Sequence, residues 1–175
     1  MQKGLVHIYT GKGKGKTSAA MGLVLRALGY DKNIYLMQFL KGRETGEKMY
    51  LEKIPEVTFR RSSDISKFFN QMNEDEKKDM ETKIRNSWQE IINIATDNKY
   101  DIIILDEIMA LITYKIIKID EVKSLIKTKS ENIELILTGR GAPEELIEAA
   151  DYVTEMKKIK HPFSQNIPAR KGIEF

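Results

Sequence analysis

One segment restricts the fold more than any other. It is Thr10-Gly11-Lys12-Gly13-Lys14-Gly15-Lys16-Thr17, set between the apolar run Leu5–Tyr9 and a helix-forming stretch that closes near Leu28. Glycine at every second position leaves this loop supple enough to turn successive backbone N–H groups inward. A strand that empties into such a loop and then into a helix is the phosphate-binding unit of parallel α/β folds. Its consensus is Gly, four residues, then Gly-Lys-Ser/Thr. Gly15-Lys16-Thr17 completes that consensus, whereas Thr10 stands where the first glycine belongs. The helix N-terminus adds partial positive charge. Lys16 is expected to reach phosphate oxygens, the Thr17 hydroxyl to ligate Mg²⁺, and Ser18 to follow them in the first helical turn. Lys12 and Lys14 either join the phosphate site or stay solvated. The segment is expected to bind a polyphosphate.

Past this loop, short β-branched runs alternate with amphipathic stretches. Ile34–Leu40 reads as a strand, followed by the polar stretch Lys41–Lys48, and Val57–Arg60 as a third strand. A long helix is expected over Glu74–Asn98, with Met80, Ile84, Trp88, Ile91, Ile92 and Ala95 forming one buried stripe. Ile102–Leu105 has the uninterrupted apolar character of a central parallel strand. A helix over Asp120–Lys127, a strand Ile133–Leu137, a helix Pro143–Ala150 and a strand Tyr152–Met156 complete the pattern. No repeat or linker interrupts it, and 41% apolar residues supply a core, so a single domain over residues 1–175 is expected. The alternation predicts an α/β fold: a three-layer P-loop NTPase (RecA-like) domain with a mostly parallel central sheet and right-handed crossovers.

The strand Ile102–Leu105 runs into Asp106-Glu107. An acidic pair at the carboxyl end of a buried strand is where a nucleotide's Mg²⁺ is held when a P-loop lies nearby. Either carboxylate can ligate the metal directly or through water, and Glu107 can instead polarise a hydrolytic water. Arg140, in Thr138-Gly139-Arg140-Gly141, either contacts phosphates or sits on a structural turn. Arg26, on the helix after the loop, either touches nucleotide or packs at the surface. The absence of cysteine excludes disulfides, thiolate zinc sites, iron–sulfur clusters and a thiol nucleophile. With His7 and His161 as the only imidazoles, a histidine-rich metal site is excluded too. A formal charge of +3 is too small to argue for nucleic acid, and the basic stretches Lys157–Lys160 and Arg170-Lys171 read as a solvated face. With no signal-peptide apolar region and no run approaching a bilayer span, a cytoplasmic protein without a membrane partner is expected. These residues leave the reaction open between a small P-loop kinase or ATPase acting at the γ-phosphate and a nucleotidyl- or adenosyl-transferring enzyme.

Three groups of residues narrow it. Tyr9–Ala20, Gln38-Phe39-Leu40-Lys41-Gly42, and Leu137–Leu146 with Ile159–Phe163 and Arg170–Phe175 together resemble the ATP:corrinoid adenosyltransferases, the P-loop cob(I)alamin adenosyltransferase family. The resemblance runs from about Gly4 to Phe175. It implies that cobalt(I) of a reduced corrinoid (cobalamin, cobinamide or a precursor) attacks the 5′ carbon of ATP and that triphosphate leaves. The nucleotide would lie in the reverse sense to ordinary P-loop enzymes. Lys16, Thr17 and Glu107 then take catalytic roles, ATP contacts extend over Thr10 to Ser18 with Arg26 and Arg140, and Mg²⁺ is held by Thr17, Asp106 and Glu107. A homodimer and an electron-donating reductase are also implied. Family members carry Phe-x-Trp before the long helix, where it displaces the corrinoid's lower ligand; here that region, Ser62–Met72, lacks the pair. Phe68, Phe69, Met72, His161 and Phe163 are the candidates for contacting the corrin.

Overall fold

A computed structural model describes residues 3–62, 67 and 69–175. Its strands are β1 (Val6–Thr10), β2 (Ile34–Gln38), β3 (Val57–Arg61), β4 (Ile102–Asp106), β5 (Glu134–Thr138) and β6 (Tyr152–Glu155). They form one sheet in the order β3-β2-β4-β5-β1-β6, and every pairing is parallel. The helices are α1 (Lys16–Leu28), α2 (Gly46–Leu51), α3 (Glu74–Ile94), α4 (Ile108–Thr113), α5 (Ile119–Thr128) and α6 (Glu144–Ala149). The three layers follow from alternation along the strands. Ile104 and Ile136 face the side covered by Ala20 and Val24 of α1 and Leu51 of α2. Ile103, Leu105, Leu135 and Leu137 face the opposite core, built on α3 to α6. With both faces covered, the strands read as continuous apolar runs. Each fully buried Ile or Leu contributes roughly 1.5–3 kcal/mol.

Helix α3 is specified at its start and along its length. The Asn73 side chain accepts from the Glu76 N–H while Glu76 accepts from the Asn73 N–H, and three acidic residues occupy the first turn. Met80, Ile84, Trp88 and Ile91 form the buried stripe, with Ala95 also buried and Ile92 only partly so. The helix stops at Ile94, short of the expected Asn98, and Asn98 takes a left-handed turn at φ 58°. Gly29 likewise departs from expectation. It stays right-handed at φ −64°, and the reversal after α1 falls to Asp31 at φ 54°.

Strand order decides where chemistry can occur. β5 lies between β1 and β4, so the loop after β1 and the acidic pair at the carboxyl end of β4 flank Thr138 at the end of β5. On the other side, Gln38 of β2 is in register with Asp106 of β4. All these residues emerge at the carboxyl edge of the sheet, where ligands of open α/β folds bind.

Candidate active site

Gly15 sits at φ 117°, a left-handed conformation open to glycine, and it delivers the chain into α1. Gly13 is required for a different reason. A Cβ there would lie 2.5 Å from the carbonyl oxygen of Met156, the same oxygen that accepts the Gly13 N–H at 2.6 Å. The loop is therefore packed on the chain leaving β6. Thr10 is buried, and its hydroxyl accepts the Ala142 N–H at 3.1 Å. The residue that departs from the consensus thus ties the root of the loop to the turn bearing Arg140.

Lys16 is buried and curls back over the loop, donating to the carbonyls of Gly11 at 2.8 Å and Gly13 at 2.9 Å. Burial lowers its pKa below the ordinary lysine value, with the charge of Glu107 opposing that shift. Asp106 is fully buried. Its Oδ1 accepts from the hydroxyls of Thr138 at 2.6 Å and Thr17 at 3.0 Å. Its Oδ2 accepts from Gln38 Nε2 at 3.2 Å and Lys41 Nζ at 2.5 Å. Lys41 Nζ also donates to Thr17 Oγ1 at 2.9 Å. Glu107 follows in a left-handed conformation, φ 64°, and its N–H donates to Thr138 Oγ1 at 3.0 Å. Burial raises its carboxyl pKa, as does Asp106 beside it, while Lys41, Lys16 and Arg140 pull it back. An unusual backbone at a charged residue is characteristic of a site whose surroundings impose the geometry.

The donor set fits Mg²⁺. Thr17 and Asp106 present hard oxygens to one another with a cation, the Lys41 ammonium, already touching both. Mg²⁺ takes one or two protein oxygens and completes its shell with phosphate and water.

Of the other sequence candidates, Arg140 is exposed on a turn with left-handed glycines on both sides, and its charge acts on Lys16 and Glu107. Lys12 is exposed. Lys14 pairs at 2.9 Å with Glu174 of the C-terminal turn. Ser18 and Thr17 line an open cavity of ≈ 440 Å³ together with Lys41, Glu47 and Gly172–Phe175. Arg26 is not brought to the loop. It lies in the last turn of α1, about 15 Å of helix from Lys16 at 1.5 Å per residue, and lines a groove at the amino edge of the sheet. Met72 is also displaced from its expected role, because it is buried in the α3-side core. Phe69 stacks on Tyr114 at 4.2 Å. His161 is half-buried, and its carbonyl accepts from the Ser164 N–H and hydroxyl. Phe68 and the side chain of Phe163 lie outside the described residues.

The sequence motifs assign no site role to Lys41, Gln38 or Arg61, yet all three gather around Asp106. Arg61 donates to Gln38 Oε1 at 3.0 and 3.2 Å and to Thr45 Oγ1 at 3.0 Å, orienting the amide that donates to Asp106. Two signals are available: Gln38 and Lys41 lie in one of the stretches that carry the family resemblance, and all three are polar residues ending or following strands β2 and β3, on the side of the sheet where β4 ends in Asp106.

A glycine loop with an inward lysine, followed by a helix whose Thr17 bonds Asp106 at the end of the parallel strand next but one, defines a P-loop nucleotide-binding protein. The chain belongs to the ATP:corrinoid adenosyltransferase family BtuR/CobO/CobP, whose family model matches residues 2–175. It is accordingly an enzyme of that family, with ATP and a corrinoid as substrates. It is 33% identical to a corrinoid adenosyltransferase of Pseudomonas aeruginosa over 99% of this chain and 85% of that protein. It is 35% identical to one from Sinorhizobium sp over 99% and 81%, and 31% identical to one from Escherichia coli strain K12 over 99% and 87%. In three dimensions it resembles EssC (ATPases 2 and 3) from Geobacillus thermodenitrificans, with a TM-score of 0.51 and 17% identity over 97% of this chain and 35% of that one. That likeness concerns the fold alone.

Proposed function

We propose that the protein, acting as a single domain, transfers the 5′-deoxyadenosyl group of Mg²⁺-bound ATP to cobalt(I) of a reduced corrinoid and releases triphosphate. One observation carries this reading: in a member of this family, Lys16, Thr17, Asp106 and Glu107 converge at one edge of the sheet. In the reaction the cobalt electron pair forms the Co–C5′ bond. The C5′–O bond breaks, its electron pair leaves on the triphosphate oxygen, and the cobalt becomes formally cobalt(III). No proton has to be moved. The protein's task is to hold C5′ in line and stabilise charge on the departing oxygen.

Loop amides from Gly11 to Lys16 cradle the triphosphate in the reverse sense, with Lys16 and Arg140 against its charge and Lys12, Lys14 and Ser18 at its rim. Thr17 and Asp106, with Glu107 beside them, would hold Mg²⁺, which when bound supplies Lewis-acid neutralisation of phosphate charge. Phe68, Phe69, His161 and Phe163 are the corrin-facing candidates. Apolar side chains against the corrin would exclude water and the lower axial base, favouring reduction of four-coordinate cobalt. A cytoplasmic homodimer served by a separate reductase completes the reading.

The test is an anaerobic assay with ATP, Mg²⁺ and chemically reduced cob(I)alamin or cobinamide, followed by visible spectroscopy in the dark. A light-sensitive adenosylcobalt product with one triphosphate per turnover is expected. Release of inorganic phosphate without that product would replace this reading with a kinase or ATPase acting at the γ-phosphate.

A further inference from the structure

Strand β2 ends at Gln38, and the next three residues place a charge at the metal site. Phe39 is fully buried, and its N–H donates to the Asp106 carbonyl at 3.0 Å. Leu40 takes a left-handed conformation, φ 54°, a strained turn for a residue with a side chain. Lys41 then reaches back over the sheet edge with its ammonium 2.5 Å from Asp106 Oδ2 and 2.9 Å from Thr17 Oγ1. The Asp106 side chain is 0% exposed and that of Lys41 24% exposed. A carboxylate buried this deeply requires a counter-charge. The Thr17 hydroxyl donates its one proton to Asp106 and receives one from Lys41, so both oxygens a divalent cation would use already face an ammonium.

We propose that Lys41 is a triphosphate-binding residue whose ammonium holds the metal seat in the ligand-free enzyme and is exchanged onto phosphate oxygens when the metal–nucleotide complex enters. The inference rests on the ATP site proposed above and adds a residue and an order of events to it. Mg²⁺ and the ammonium cannot share Asp106 Oδ2 and Thr17 Oγ1, being like charges that need the same lone pairs. Lys41 also lines the cavity that holds Thr17 and Ser18, so anionic oxygens arrive where its flexible four-carbon stem can reach them. Gln38, held by Arg61, keeps its hydrogen bond to Asp106 throughout and fixes the carboxylate during the exchange.

Such an exchange has a signature of opposite signs. In the full-length protein, Lys41→Met removes the charge with little change in volume. Mn²⁺ alone, read by electron paramagnetic resonance without nucleotide, should then bind at least about tenfold tighter than to wild type. Inorganic triphosphate, measured calorimetrically with chelator present, should bind at least about tenfold weaker. Unchanged or weakened Mn²⁺ binding, or unchanged triphosphate binding, would overturn the proposal, since a structural lysine would weaken both or neither. Should Lys41→Met not fold, Lys41→Gln keeps hydrogen-bonding capacity without the charge and must give the same pair of shifts. Neither measurement uses a corrinoid, so a failed adenosyl transfer would overturn the reaction assignment and leave this result standing.

Discussion

Thr10 shows how a departure from a consensus can be read physically. Glycine at this place would leave the Ala142 N–H without the acceptor it has in the Thr10 hydroxyl. Thr10→Gly should therefore destabilise the protein by about 2 kcal/mol, from one lost hydrogen bond and added backbone freedom. Thr10→Ser keeps the oxygen and should remain within about 0.5 kcal/mol of wild type, both read by urea unfolding. Glu107 presents the reverse case, a residue whose local conformation opposes it. At φ 64° a side chain costs about 1 kcal/mol relative to glycine. Glu107→Gly should raise stability by roughly that amount while lowering adenosyl transfer at least about 100-fold. A variant that is more stable and equally active would remove Glu107 from the site. At this scale the sequence is most legible where a residue type is tied to a motif position, as for Lys16, Thr17 and Asp106. It is least legible where the role depends on a neighbouring strand, as for Lys41, Gln38 and Arg61. Register across a parallel sheet is a tertiary property, and a single sequence does not contain it.

Among elements, β1, α1, α3 and β4 are legible because a long periodic stripe or an uninterrupted apolar run marks them. Helices α2 and α4 carry no such mark. Each spans six residues, too short for a 3.6-residue period to stand out; the equally short α6 is marked by Pro143 and an acidic first turn, whereas α2 opens on Gly46 inside a polar stretch and α4 has no acidic residue in its first turn. The C-terminal turn has no periodicity at all, yet it packs beside the phosphate loop. Its Glu174 carboxyl is held down to about 2 by the Arg170 guanidinium, the Lys14 ammonium and the Arg170 N–H. An acid with a depressed pKa contributes fully above the ordinary carboxylate range, and its contribution is lost as pH falls through the depressed value. The tie between turn and loop should accordingly persist from neutral pH to about pH 2. Carboxyl-carbon NMR should show Glu174 titrating near that value, and Lys14→Ala should move the midpoint up by the lysine's share alone, leaving it below the ordinary carboxylate range because the Arg170 contacts remain. An unmoved midpoint would mean that Arg170 alone holds the turn.

For the molecule as a whole, the sheet has two unequal edges. The carboxyl edge gathers the loop, Lys41, Asp106, Glu107, Arg140 and the C-terminal turn. The amino edge carries a groove of ≈ 730 Å³ lined by residues such as Lys3, Leu5, Arg26 and Asn132. A ligand that binds only the native state stabilises it by about 2.7 kcal/mol at 100 times its Kd. In a chain of this length that shifts the melting temperature by roughly 5–10 °C. The stabilisation is global, but contacts are local, so protection from hydrogen exchange should separate the two edges. Inorganic triphosphate with Mg²⁺ should slow exchange at residues 10–18, 38–47 and 138–142 and at the C-terminal turn. The amides of residues 3–5, 26–30 and 132 should show no added protection beyond the global term. Slowed exchange around Arg26 that is as strong as at the loop would return that residue to the nucleotide site and would mean that α1 transmits binding along its length. Protection confined to the carboxyl edge leaves the amino-edge groove uninvolved in triphosphate binding, as the distance along α1 requires.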